Sequence, residues 1–241
     1  MKTNSIFLLV FILATFTNLA LAETYSYETE EVESLEVSTG VEFNVWCGDV
    51  NKLEIFADSE NDFQMLLKDK RLEIKSTNKN HWLFFSWGRH NDVTADITLK
   101  NPPKFIELST GSQGRMQNCF HREADLSLSA STGSSFKIDS SSDSINQLEV
   151  DLSTGSVIEV EGKLHINHLQ LNATTGSIFE ADNEVIIETS KVSMSTGALA
   201  NICGVLEISG KLSTGGIVGV AENTIRTKVT TSTGGEVDVD C

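Results

Sequence analysis

Four cysteines hold the spacing that most directly suggests chemistry in this 241-residue chain. Cys47, Cys119, Cys203 and Cys241 stand seven, eight, six and seven residues after Gly40, Gly111, Gly197 and Gly234, and each of those glycines closes a Ser-Thr-Gly phrase. Thiols at one recurring offset suit cross-links between like positions of a repeat. They suit a zinc cage poorly, because no Cys-x-x-Cys pair is present. His165 and His168 are close in sequence, but strand alternation turns them to opposite sides, so a shared metal is not expected. No Gly-x-Ser-x-Gly elbow, His-Glu-x-x-His pair, phosphate loop or calcium-binding Gly-Gly-x-Gly-x-Asp nonapeptide occurs. The remaining chemistry-bearing segment is His81-Trp82-Leu83-Phe84-Phe85-Ser86-Trp87-Gly88-Arg89-His90, aromatic in a chain otherwise poor in aromatics. Trp82, Phe84, Phe85 and Trp87 would either cap an open core end or contact a glycan or protein partner.

The elements that position these residues follow from the repeat. Ser-Thr-Gly recurs at Ser38, Ser109, Ser131, Ser153, Ser195, Ser213 and Ser232, with Thr174-Thr175-Gly176 as a near copy. From Gly111 the glycines are 22, 22, 21, 21, 18 and 19 residues apart. Apolar residues stand one and three places before the serine, as in Leu128 and Ala130 or Val150 and Leu152. They return three and five places after the glycine, as in Phe136 and Ile138 or Ile158 and Val160, with Gly114 as an exception. Alternation with period two marks strands buried on one face, and a unit near twenty residues is one coil of a β-solenoid with a glycine corner. Parity places the serine outward and the threonine inward, where stacked threonines would form a hydroxyl ladder. Inward threonines and mixed outward positions argue against an ice-binding array.

Between Gly40 and Gly111 the phrase is missing for about three coils' worth of chain. Strands are expected at Lys52–Phe56, Arg71–Lys75 and Val93–Leu99, with a short helical turn over Asn61–Lys68. If this segment leaves the first two Ser-Thr-Gly coils adjacent, Cys47 and Cys119 fall within disulfide reach. Cys203 and Cys241 are two coils apart, nominally about 9.6 Å, and are the weaker candidate because local bending is required.

Catalysis finds little support. A polysaccharide-active solenoid enzyme, the alternative reading, needs carboxylates and basic groups converging on one face. The outward positions Glu159, Glu180, Asn201, Gly219 and Asp238 vary from coil to coil and are not expected to form such a cluster. No cofactor is implied.

Residues 1–22 read as a signal peptide for the Sec route: Lys2, an apolar run over Ile6–Phe16, and Ala20-Leu21-Ala22 before the cut. The apolar run is too short for a membrane span. Residues 23–241 then form one β-solenoid domain, less regular over 23–110 and regular over 111–241. The formal net charge of −16 disfavours nucleic acid, whose binding depends on cationic side chains. An oxidising compartment, periplasmic or extracellular, permits the disulfides.

Within the less regular part, Ser34-Leu35-Glu36-Val37-Ser38-Thr39-Gly40-Val41-Glu42-Phe43-Asn44-Val45 leads to Gly48-Asp49, Leu53-Glu54-Ile55-Phe56-Ala57-Asp58, Leu72-Glu73-Ile74 and Ala95-Asp96-Ile97-Thr98-Leu99. This order and spacing resembles the autotransporter-adhesin head domain of the GIN type, over residues 30 to 240. The resemblance implies a bacterial exported β-solenoid with a binding role at the surface or in the periplasm, and it brings no catalytic residues. The expected function is therefore an exported, non-enzymatic adhesin-like or scaffold domain that binds a glycan or a cell-envelope protein.

Overall fold

Alternating apolar residues cannot be buried by a single coil, so the coils bury them against one another. The structure, a computed structural model, describes residues 23–77, 93–120, 124–239 and 241. The signal-peptide reading of residues 1–22 and the reading of Trp82, Phe84, Phe85 and Trp87 lie outside the described residues.

The strands are β1 (Glu23–Glu28), β2 (Ser34–Ser38), β3 (Glu42–Cys47), β4 (Lys52–Ala57), β5 (Phe63–Lys68), β6 (Arg71–Ser76), β7 (Thr94–Leu99), β8 (Phe105–Ser109), β9 (Gln113–Gln117) and β10 (Ala124–Ala130). They continue as β11 (Ser135–Leu152), β12 (Val157–Ala173), β13 (Ile178–Ala181), β14 (Ile186–Met194), β15 (Leu199–Ile202), β16 (Val205–Leu212), β17 (Ile217–Gly219), β18 (Ile225–Thr231) and β19 (Glu236–Asp238). Two parallel ladders run along the molecule, one on each side of the corner. Before the corner the order is β6, β2, β8, β10, β11, β12, β14, β16, β18. After it the order is β7, β3, β9, β11, β12, β13, β15, β17, β19. β11 and β12 are long enough to serve both ladders. The protein is a β-solenoid, as its repeat implies.

Inward residues form one continuous core from Val32 to Val220. At Gly114 the inward side chain is missing because Phe43 and Phe136 fill the space from the neighbouring coils. Their rings lie 5.8 Å apart, and a Cβ on Gly114 would stand 2.2 Å from Phe43.

The corner differs from its expected form. Thr132 and Gly133 have φ of 53° and 70°, and Ser134 N donates to Ser131 O at 3.2 Å. Two successive left-handed residues closed by this bond make a type I′ turn. Its central residues point away from the chain body, so the threonines are outward and parity resumes only after the glycine. The inward ladder of threonines does not form. The buried corner residue is the serine after the glycine: Ser112, Ser134, Ser156 and Ser177. Ser134 Oγ donates to Ser131 O at 2.8 Å and accepts from Ser131 N at 3.1 Å. Coils are tied at this edge by Gly133 N donating to Thr154 O and Gly155 N donating to Thr175 O, each at 3.0 Å. One of the two grounds against an ice-binding surface thus falls. The other stands, since the threonines run in single file along a corner between faces of mixed composition.

Among the described residues, the region between Gly40 and Gly111 adds one coil to the two ladders and not three. β6 and β7 make one coil, and β5, β4 and β1 fold over its end as antiparallel strands. Asp69 and Lys70, with φ of 51° and 62°, form the two-residue hairpin turn between β5 and β6. The helical turn expected over Asn61–Lys68 is reduced to a 3-10 turn at Glu60–Asp62, because Phe63, Met65 and Leu67 alternate onto the core and hold the chain as a strand. With Tyr25 and Tyr27 these residues cover the end of the stack, and the Tyr25 and Phe63 rings are 5.3 Å apart. At the turn from β5 into β6, Lys70 Nζ is 2.8 Å from both Glu31 Oε2 and Glu33 Oε1, and Arg71 at the start of β6 pairs with Glu36 and Glu73.

Both disulfides are formed. Cys47 ends β3 and Cys119 lies two residues past its ladder neighbour β9, with Cα atoms 5.1 Å apart. Cys203 and Cys241 are 5.6 Å apart at Cα. The nominal two-coil separation is thus closed to disulfide reach, across the coil where β17 ends at Gly219.

Candidate functional site

The post-corner ladder presents its outward side chains in register, so each sequence offset becomes a column down the molecule. Two columns matter, two and four residues after the corner glycine. Over β3, β9 and the start of β11 the second column is Asn44, Arg115 and Lys137. Trp46 stands beside it and donates from Nε1 to Gln117 Oε1 at 3.1 Å. Gln117 Nε2 donates to Asp139 Oδ2 at 3.3 Å, Arg115 Nη2 donates to the same oxygen at 2.8 Å, and Asn44 Nδ2 donates to Asp96 Oδ1 at 3.0 Å. These bonds run between coils and fix an indole beside amide, guanidinium and carboxylate groups. A shallow cavity of about 310 Å³ opens beside them over Gly114, lined also by Lys137 and Ser135. Sugar rings are commonly held by such a mixture of aromatic face and planar hydrogen-bonding groups.

From β12 onward the character changes. The first column becomes Val157, Ile178, Leu199 and Ile217, in unbroken register. The second becomes Glu159, Glu180, Asn201, Gly219 and Asp238. Glu159, Glu180 and Asp238, together with Glu161 and Asp182, border a groove of about 530 Å³ whose lining also includes Asn201 and the bare backbone of Gly219. The positions expected to vary without forming a cluster thus align along one open face. Lys137 is the basic group at its edge, 3.9 Å from Glu159 and paired more closely with Glu161.

His165 and His168 do not face opposite sides. Ile166 and Leu169 are both buried, three residues apart, so the strand bends between them and both histidines point outward. They hold different partners: His165 Nε2 lies 3.0 Å from Glu188 Oε1 and His168 Nδ1 lies 2.8 Å from Thr189 Oγ1. Among the described residues no group of three or more His, Cys, Asp or Glu is arranged to hold a metal ion, and no helix is long and apolar enough to cross a membrane.

A family model described as "Putative auto-transporter adhesin, head GIN domain" matches residues 32–224. The chain belongs to this family. Solved structures share the fold. A "putative adhesin" from Bacteroides fragilis superposes with a TM-score of 0.70 at 12% identity, covering 90% of this chain and 96% of that one. A "putative adhesin" from Parabacteroides distasonis gives 0.68 at 11% identity, again over 90% and 96%. A "putative lipid binding protein" from the same species gives 0.65 at 10% identity, over 91% and 97%. No curated relative matches the chain in sequence. For this head GIN domain, sequence reasoning located the outward acids but not the groove they border, and it missed the network around Trp46. The signal for both was present, since like offsets from the corner glycine become neighbours once the coils stack.

Proposed function

We propose that the protein is an exported, non-enzymatic adhesin-like or scaffold domain, whose post-corner face binds a glycan or another component of the cell envelope. The observation that carries this reading is the in-register face over β3, β9 and β11, where Trp46, Gln117, Asp139 and Arg115 are held by hydrogen bonds between coils. A side-chain array already fixed loses little freedom when a flat ligand settles on it. Membership of an adhesin family supports a binding role and an extracellular or surface position, reached through cleavage after residue 22. The aligned carboxylates are solvent-facing, with Glu159 and Glu161 side chains 44% and 45% exposed, whereas a glycosidase acid needs a desolvated carboxyl.

The test is a binding screen of residues 23–241 against glycans and envelope proteins. Retained binding in a folded Trp46→Ala/Arg115→Ala variant would remove the face from the reading. A Trp82→Ala/Trp87→Ala variant separates the aromatic segment's two roles: lost binding at unchanged melting temperature makes it a contact, and lost stability makes it a cap. Turnover of any polysaccharide would overturn the non-enzymatic reading.

A further inference from the structure

The aliphatic column and the acidic column beside it are not used by the reading above. Val157, Ile178, Leu199 and Ile217 face outward on four successive coils, and Leu199 is 41% exposed. Coils stack about 4.8 Å apart, so the column is about 14 Å long. An α-helix of ten residues has about that length and returns an apolar side chain to the same side about every 5.4 Å, close to the coil spacing. An extended peptide along the same line would place like-sided residues about 6.8 Å apart and lose register after one or two coils. One strand alternation away from the aliphatic column run Glu159, Glu180, Asn201 and Gly219, acidic on the coils of β12 and β13, and Glu161 and Asp182 line the same groove. That lateral offset suits the flank of a helix whose apolar stripe lies on the sheet. The chain's net charge of −16 adds a general attraction for cations and disfavours a second copy as the occupant.

We infer that the post-corner face over β12, β13, β15 and β17 docks a cationic amphipathic helix, with its aliphatic stripe on Val157, Ile178, Leu199 and Ile217 and its lysines or arginines over the carboxylates of β12 and β13, Glu159, Glu161, Glu180 and Asp182.

The probe is a synthetic fourteen-residue leucine/lysine peptide with helical period. Its controls are a peptide of the same composition with period two and a lysine-only oligomer, all titrated against residues 23–241 at about 0.15 M salt. The helical-period peptide should bind and gain helicity by circular dichroism. Leu199→Glu and Glu180→Lys should each weaken it at least tenfold, while Glu107→Lys on the pre-corner face leaves it unchanged. If Leu199→Glu lowers the melting temperature, Leu199→Ser replaces it. Absence of binding, equal binding of the three peptides, or indifference to the Leu199 and Glu180 substitutions overturns the inference. Because the Trp46 network is untouched by these changes, glycan binding without peptide binding sinks this inference alone. Peptide binding without glycan binding leaves it standing.

Discussion

Thr154 and Gly155 hold successive left-handed backbone angles, 51° and 69°, but only threonine carries the steric cost of them. A Cβ on Gly155 would touch nothing within 4 Å, so the glycine is required by its angle and not by crowding. Two substitutions should therefore move stability in opposite directions. Thr154→Gly should raise it by about 0.5–1 kcal/mol and Gly155→Ala should lower it by about 1 kcal/mol, read from urea unfolding midpoints. A threonine kept eight times at such an angle, if the Thr175 near copy is included, is not explained by the turn alone. Ser190 makes a second residue-scale case. It stands in the inward column between Leu169 and Ile208, is 4% exposed, and its Oγ has no hydrogen-bond partner. Ser190→Val should stabilise the protein by about 1 kcal/mol, seen as a higher melting temperature.

At the scale of elements, among the described residues the last coil has a ladder neighbour on one side only, and the Cys203–Cys241 bond ties it to the coil of β15. A Cys203→Ser/Cys241→Ser variant should lose amide protection in β18 and β19 while protection in β11 and β12 stays unchanged; loss spread over all coils would refute this division. The opposite end depends partly on charge. Hydrogen bonding from Lys70 and the nearby Lys104 ammonium hold the Glu33 carboxyl below its ordinary value, and Glu31 and Glu33 raise Lys70. A depressed carboxylate contributes stability above its unfolded pKa of about 4.3, and this is lost as pH falls. A raised ammonium contributes below about 10.4, and this is lost as pH rises. The melting-temperature deficit of Lys70→Ala should accordingly be present at pH 7 and vanish near pH 3. Much of this element scale was legible in the sequence, because Val150, Leu152, Ile158 and Val160 announce strands whatever surrounds them. What escaped were the places where two residues break parity together. The Thr-Gly corner turned its threonines outward, and the bend between Ile166 and Leu169 turned both histidines to the same side. The cap escaped for another reason: Asn61–Lys68 reads as a helical turn, whereas Phe63, Met65 and Leu67 alternate onto the core as a strand that the turn at Asp69-Lys70 reverses.

For the whole molecule, Cys47–Cys119 joins positions 72 residues apart in the chain and adjacent in the stack. Closing so long a loop in the unfolded chain stabilises the native state by up to about 4 kcal/mol. Cys47→Ser/Cys119→Ser should lower global stability toward that figure, with loss of protection in every coil from β2 to β9. The whole post-corner face bears on the binding role proposed for it. Its columns lengthen with each coil and stay open to water, which favours extended contact over an enclosed reacting centre.

The order of coils at the capped end carries a consequence for how the chain comes together. The coil of β2 and β3 lies between β6–β7 and β8–β9, so the first coil to be synthesised finds neither neighbour until residues beyond Thr94 and Gln113 have appeared. Nascent chain shorter than this has no template to grow on and should remain unfolded. Once β9 is in place, each later coil needs only the coil just before it. The molecule thus has one slow, non-local assembly step followed by sequential addition, and substitutions in Leu35 or Val45 should slow folding far more than equivalent ones in Ile202 or Val220.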